Sequence, residues 1–178
     1  MVKRKKFMKI AIISDSHDNV PNLEKALAII KNQGVGLIIH CGDLCAPSML
    51  SKVIAPDFQG EIHIVHGNVG DPDLLEEIAK KFPNVTVHGE IGEIEVASPG
   101  LKNKKIAFTH FPEEGKKMAE SQKYDFVFYG HTHKPWEEKI NKCRLVNPGT
   151  LAGMFYKATF AIYDTETDEL ELKILELL

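Results

Sequence analysis

The chain has 178 residues, 43% of them hydrophobic, and a formal net charge of −3. That length holds one domain with a substantial core and leaves little room for two. The acidic balance excludes general nucleic-acid binding through bulk charge, and three cysteines, Cys41, Cys45 and Cys143, are too few and too unevenly spaced for a disulfide framework, which fits a reducing cytoplasm.

Residues 1–7, MVKRKKF, read as a basic N-terminal arm, a solvated tail to which no function is assigned, and residues 8–178 as a single domain. The apolar stretch behind the arm is only about five residues long before Ser14 and Asp15 interrupt it, so neither a signal peptide nor a membrane span is expected. From Met8 onward, apolar runs rich in Ile, Val and Phe recur: KIAIIS, GLIIHC, EIHIVH, KIAFT, DFVFY and RLV. They read as buried strands. Between the early ones lie amphipathic stretches at 21–32, 47–54 and 72–82, each opened by a proline where a helix tolerates it. This βαβαβα order predicts a parallel sheet in the first half. After Pro83 strands predominate, ending in a hairpin around Asp164 to Asp168, so a second, mixed sheet packed on the first is expected. Phe155, Tyr156 and Phe160 read as sheet core, with a dimer surface as the alternative.

Almost every apolar run stops at a residue able to bind metal or phosphate: Asp15 and His17 after the first, Asp43 after the second, Asn68 after the third, His110 after KIAFT, and His131 with His133 after DFVFY. In open α/β folds the ligand site lies beyond the carboxyl ends of the strands, so these seven converge on one edge. Singly, each has a bland explanation: Asp15 caps a turn, or His110 is a satisfied strand-end histidine. Jointly they point to metal. The i, i+2 spacing of Asp15 with His17 and of His131 with His133 suits a loop bending around an ion better than a helix face. Gly42, Gly67 and Gly130 stand directly before Asp43, Asn68 and His131, as expected where backbone turns beside a crowded centre. Two carboxylates, four imidazoles and one amide suit Mn²⁺, Fe²⁺ or Zn²⁺ better than Ca²⁺ or Mg²⁺. Seven donors are too many for one such ion and suit two, if Asp43 bridges. Two divalent cations against two carboxylates leave a net charge of about +2, which attracts an anion such as a phosphate ester.

These residues resemble the calcineurin-like metallophosphoesterase superfamily, and within it the small YfcE-like phosphodiesterase branch. The matched pieces are DSH at 15–17, GD at 42–43, GN at 67–68, TH at 109–110, GHTH at 130–133 and NPGT at 147–150, in the family's order. The resemblance implies an α/β fold, a four-layer α/β/β/α sandwich with two mixed β-sheets. It implies one ion held by Asp15, His17, Asp43 and His133 and another by Asp43, Asn68, His110 and His131. Two such ions, about 3.5 to 4 Å apart, activate a water for in-line attack on phosphorus and neutralise charge on the phosphoryl oxygens. The implied cofactors are two divalent metal ions, Mn²⁺ first, with Fe, Zn or Ni as alternatives. The implied function is a cytoplasmic hydrolase, a phosphodiesterase acting on small diesters rather than monoesters, without a membrane or a nucleic acid as partner. For Asn147, structural support ranks above substrate contact.

The loop HGNVGDPD departs from the family pattern. Many members carry His, or in the small branch Cys, after the Gly-Asn pair, where it is thought to donate a proton to the leaving oxygen. Here Val69 fills that position and Gly70 displaces the following acid to Asp71. His66 is the nearest replacement donor by sequence. General acid help is worth about 10² to 10⁴ in rate, so esters with acidic leaving groups are the expected substrates. Phe111 and Pro112 after His110 predict a more apolar and rigid pocket wall, with Phe111 packed rather than stacked on substrate. The alternative function is a metal-binding scaffold or protein-interaction module with the same fold and little catalysis, as in a retromer subunit. The intact set of seven donors favours the enzyme; Val69 alone favours the scaffold.

Overall fold

The computed structural model describes residues 9–98, 100 and 102–178, so the basic arm at 1–7 lies outside the described residues. In chain order the elements are β1 (Lys9–Ile13), α1 (Val20–Asn32), β2 (Val35–His40), a π-helical turn (Leu50–Ile54) running into α2 (Ala55–Asp57), β3 (Glu61–Ile64), α3 (Pro72–Ala79), β4 (Val85–Val87) and β5 (Ile91–Val96). They continue with β6 (Lys104–Thr109), α4 (Pro112–Glu120), β7 (Phe126–Phe128), β8 (Trp136–Ile140), β9 (Cys143–Asn147), β10 (Thr159–Asp164), β11 (Glu169–Ile174) and a closing 3₁₀ turn (Leu175–Leu177).

The strands form a six-stranded sheet ordered β11-β10-β1-β2-β3-β4 and a five-stranded sheet ordered β5-β6-β7-β9-β8. Both are mixed: β1 to β4 run parallel while β10 is antiparallel to β1, and β6, β7 and β9 run parallel between antiparallel β5 and β8. The predicted hairpin around residues 164–168 is present, but it returns to complete the first sheet rather than the second.

Alternation along β1 explains why its sequence is apolar throughout. Ile10 and Ile12 face the second sheet and pack with Phe108, Phe126 and Phe128, whereas Ala11 and Ile13 face α1 and pack with Leu23, Leu27 and Ile30. On the far side, Met118 and Ala119 of α4 cover Ala107, Val127 and Leu145. The layers are therefore helix, sheet, sheet, helix, as expected.

Helix starts follow local chemistry. Asn19 caps α1 by accepting the Asn22 N–H at 3.1 Å, and Asp71 caps α3 by accepting the Leu74 N–H at 3.0 Å. The helix expected at 47–54 instead continues to Asp57 through a wide turn in which the Ala55 N–H bonds to the Leu50 carbonyl. Pro56 supplies no N–H and crowds the carbonyl four residues back, so a tighter ladder cannot run through it. Helix α4 and strand β8 were not anticipated. Of the aromatics near the end, Phe160 is core, but Phe155 and Tyr156 are exposed.

Candidate metal centre

Parallel register places the site. Ile13 pairs with His40 and His40 with Ile64, so the turns after β1, β2 and β3 open on one edge. Phe108 pairs with Phe128 in the second sheet, which brings the turns after β6 and β7 to the same edge. Asp15, His17, Asp43, Asn68, His110, His131 and His133 all meet there.

They form two groups. In the first, His133 Nε2 lies 3.1 Å from Asp15 Oδ1, and His17 Nε2 lies 3.7 Å from it and 3.1 Å from His133 Nε2. In the second, Asn68 Oδ1 lies 2.9 Å from both His110 Nε2 and His131 Nδ1. Asp43 joins them through one oxygen: its Oδ2 is 3.7 Å from His17 Nε2 and 3.5 Å from His110 Nε2. Donors sharing an ion at about 2.1 Å stand roughly 3 to 3.5 Å apart, so this spacing fits divalent cations. Asp15 Oδ1 supports the fit independently, because it is buried without a hydrogen-bond partner among the described residues and faces both histidines. Clusters of Asp15, His17 and His133, and of Asp15, Asp43 and His110, each converge closely enough to hold an ion.

The backbone is bent to achieve this. Asp15, His17, Asp43, His131 and His133 all have positive φ, between 40° and 68°. Non-glycine residues adopt that region at a cost and keep it where the surroundings over-determine it. Gly42 shares the left-handed conformation at φ +94°, as the sequence suggested. Gly67 and Gly130 are glycine for another reason, close approach: a Cβ at Gly67 would strike Asp43 Oδ1, and one at Gly130 would strike Ser14 Oγ and Asp15 Oδ2.

Neighbouring groups fix the donors. His110 Nδ1 donates to the Cys41 carbonyl at 2.8 Å, which leaves Nε2 bare toward the centre. Asp15 Oδ2 accepts from the Ser14 hydroxyl and from the His131 N–H at 3.1 Å. The Cys45 thiol lies 3.3 Å from His17 Nδ1, and burial, with the nearby carboxylates of Asp18, Asp43 and Asp15, raises its pKa to about 11. Burial also pushes the Asp15 carboxyl up, and Asp43 adds to that, against the pull of the Ser14 hydroxyl and of His110 and His133. A cation beside Asp15 offsets both unfavourable effects. Behind the centre, His40 is wholly buried against Ser16 Oγ at 3.1 Å, and burial with nearby His110 and His17 lowers its pKa to about 3. Ser14, the Cys41 carbonyl and Cys45 were not singled out for the site from the sequence, and no local pattern marks a backbone carbonyl or a hydroxyl as a support.

The departing loop is resolved in detail. Val69 is 47% exposed and lines a groove of about 100 Å³ with Asp43, Cys45, His66 and Asn68. Its backbone N–H donates to Asp43 Oδ1 at 2.9 Å, so residue 69 anchors the shared carboxylate by its main chain. Asp71 is committed to capping α3, and His66 Nε2 points to Glu76 at 3.3 Å. Asn147 is a support: it donates to the Gly130 carbonyl at 2.8 Å and to Thr132 Oγ1 at 3.0 Å, and it accepts the Gly149 N–H. Phe111 packs its ring 5.1 Å from that of His110 and 5.2 Å from that of His131.

Comparison with known proteins places the chain in a family. The calcineurin-like phosphoesterase superfamily domain matches residues 8–168. A phosphodiesterase of Methanocaldococcus jannaschii is 30% identical over 173 residues, 95% of this chain and 100% of the relative. The solved structure of an archaeal phosphodiesterase superposes with a TM-score of 0.83 at 30% identity, covering 94% of this chain and 99% of the other. Vacuolar protein sorting 29 of Cryptosporidium parvum shares the fold at a TM-score of 0.64 and 17% identity, over 94% of this chain and 96% of its own.

Proposed function

The chain belongs to the calcineurin-like phosphoesterase superfamily, and on that footing we propose that it is a two-metal phosphodiesterase that hydrolyses small diesters in the cytoplasm. The observation that carries this reading is the convergence of seven donors on one edge, with one carboxylate oxygen of Asp43 facing both halves. Asp15, His17, Asp43 and His133 would hold one ion, and Asp43, Asn68, His110 and His131 would hold the other, Mn²⁺ being the first candidate. Residues 8–178 act as one catalytic domain. Diesters are favoured over monoesters because the 30%-identical relative is a phosphodiesterase.

Divalent cations bound here supply charge neutralisation at the phosphoryl oxygens and lower the pKa of a water that can attack phosphorus. The chain's own residues do the positioning. The Cys41 carbonyl holds the His110 ring, the Val69 N–H holds Asp43, and the His131 N–H together with the Ser14 hydroxyl holds Asp15. At residue 69 nothing can protonate a leaving oxygen, and the two neighbouring candidates, His66 and Asp71, are engaged elsewhere. Esters whose leaving groups depart as stable anions are therefore the preferred substrates.

The test is hydrolysis of bis-p-nitrophenyl phosphate by metal-stripped protein titrated with Mn²⁺, with His131→Ala as control. Turnover that rises with Mn²⁺ and disappears in the variant supports the proposal. A folded protein that takes up Mn²⁺ without turnover replaces it with the scaffold function.

A further inference from the structure

Met154, Phe155 and Tyr156 form an apolar tip that the hydrolytic reading does not use. Phe155 is 87% exposed, and its backbone has φ +65°. A bulky side chain in the left-handed region is an outlier, and leaving it in water forgoes the burial that would compensate. Met154 and Tyr156 on either side are 42% and 45% exposed.

The stem beneath this tip is tied to the metal centre. The Leu151 N–H donates to the Ser14 carbonyl at 2.9 Å, and the Ala152 N–H and the Thr150 hydroxyl both donate to the Asp15 carbonyl at 3.0 Å. Asn19 and Asn22, at the start of α1, donate to the Ala152 and Leu151 carbonyls at 2.9 and 3.0 Å. Phe155 is thus displayed from a fixed base, and its ring stands 5.7 Å from that of His133, tilted by 40°. Phe111 borders the opposite, His110 and His131 side, but it already packs against two imidazoles and is only 38% exposed. Of Phe111 and Phe155, Phe155 is by far the more exposed.

We infer that Phe155 is a stacking platform for a flat aromatic arm, an aryl ring or a nucleobase, on the phosphate ester bound at the centre. The inference rests on the phosphodiesterase reading and narrows its substrates from small diesters in general to those with an aromatic substituent. A ring stacked on Phe155 covers the exposed face, while the phosphate is held beside His133. Stacking on a protein aromatic changes affinity by roughly five- to a hundredfold per ring.

Calorimetric titration of the Mn²⁺-loaded protein with the diesters methyl phenyl phosphate and dimethyl phosphate tests this by binding. The parent is expected to bind methyl phenyl phosphate the more tightly, by a factor within that range. Phe155→Ala should bring the two affinities close together, the loss falling on methyl phenyl phosphate, and Phe155→Trp should retain the preference. Because residue 155 is exposed and alanine meets the same φ, folding is not at stake. A preference that survives in Phe155→Ala overturns the inference. A variant that turns a dimer into a monomer with the preference intact overturns it in favour of an interface between copies. Binding of neither ligand by the parent removes the phosphate-binding centre and the inference with it, whereas equal binding of both removes the inference alone.

Discussion

Between the sheets, Ile10, Ile12, Phe108 and Phe128 sit on regular strands that alternate faces as a pleated backbone requires, and each is fully buried among apolar neighbours. A few residues beyond the ends of these strands and of β2, the chain turns into Asp15, His17, Asp43, His131 and His133, with positive φ and with polar atoms crowded at one edge. The strands are where local preference and packing agree. The turns are where they conflict, and the conflict persists because the strand ends on either side are pinned in register. Damage to the strands should therefore cost the fold, and damage to the turns should cost the ions.

Asp43→Asn breaks the turn side of this comparison most severely, since it weakens the one oxygen shared by both halves. Hydrolysis of bis-p-nitrophenyl phosphate should fall on the order of a thousandfold. Bound metal, counted by atomic emission, should fall with it; full occupancy and full rate in the variant would remove the two-metal assignment. Phe128→Ala attacks the strand side instead. It should lower unfolding free energy by about 3 to 5 kcal/mol in urea titrations. Ions per folded molecule should stay unchanged, and a loss of metal at equal folding would show that the two regions are not separable in this way.

Val69→His sharpens the contrast within the turn. It restores a proton donor while keeping the main-chain N–H that holds Asp43, so esters with alkyl leaving groups should gain about a hundredfold, at the low end of general-acid effects. Turnover of p-nitrophenyl esters should change far less. A marked loss of metal would mean that the side chain, not the backbone, sets the geometry of the loop.

The smallest effect comes from His40, which lies on the boundary between the two regions. Its pKa falls from 6.5 to about 3 on folding, so the folded state binds the proton less well than the unfolded chain. The stability this provides is complete above pH 6.5 and is lost as pH falls toward 3. Between pH 7 and pH 5 it amounts to about 2 kcal/mol. The drop in urea midpoint over that interval should be smaller in His40→Gln than in the parent; equal drops would assign the pH response to other groups.

The parallel first sheet and the meeting of the seven donors were legible in the sequence because strands buried on both faces announce themselves as apolar runs and the donors stand at their ends, whereas the layer order came from the family resemblance. Strand β8 was not, since WEEKI is an edge strand with four of its five residues exposed and carries no such run. Helix α4 was hidden for a related reason: PEEGKKMAE buries only Gly115, Met118 and Ala119, too few to produce an apolar stripe. The positive φ values at the metal edge had only a weak signal, because Asp and His are enriched in left-handed backbone but adopt it at a small minority of their positions. Gly67 and Gly130 did show in the sequence, but the side chains they make room for come from elsewhere in the chain, so only the structure separates close approach from turning.

The hydrogen bond from the Val69 amide to Asp43 has a consequence for how the protein can be altered. Because the contact is made by the main chain, any residue except proline can occupy position 69 and still hold the carboxylate. On the proposed mechanism, assembly of the centre and choice of leaving group would thus be written in different parts of one residue. Position 69 is then where a single codon change is expected to retune substrate range while the main-chain contact to Asp43 is kept.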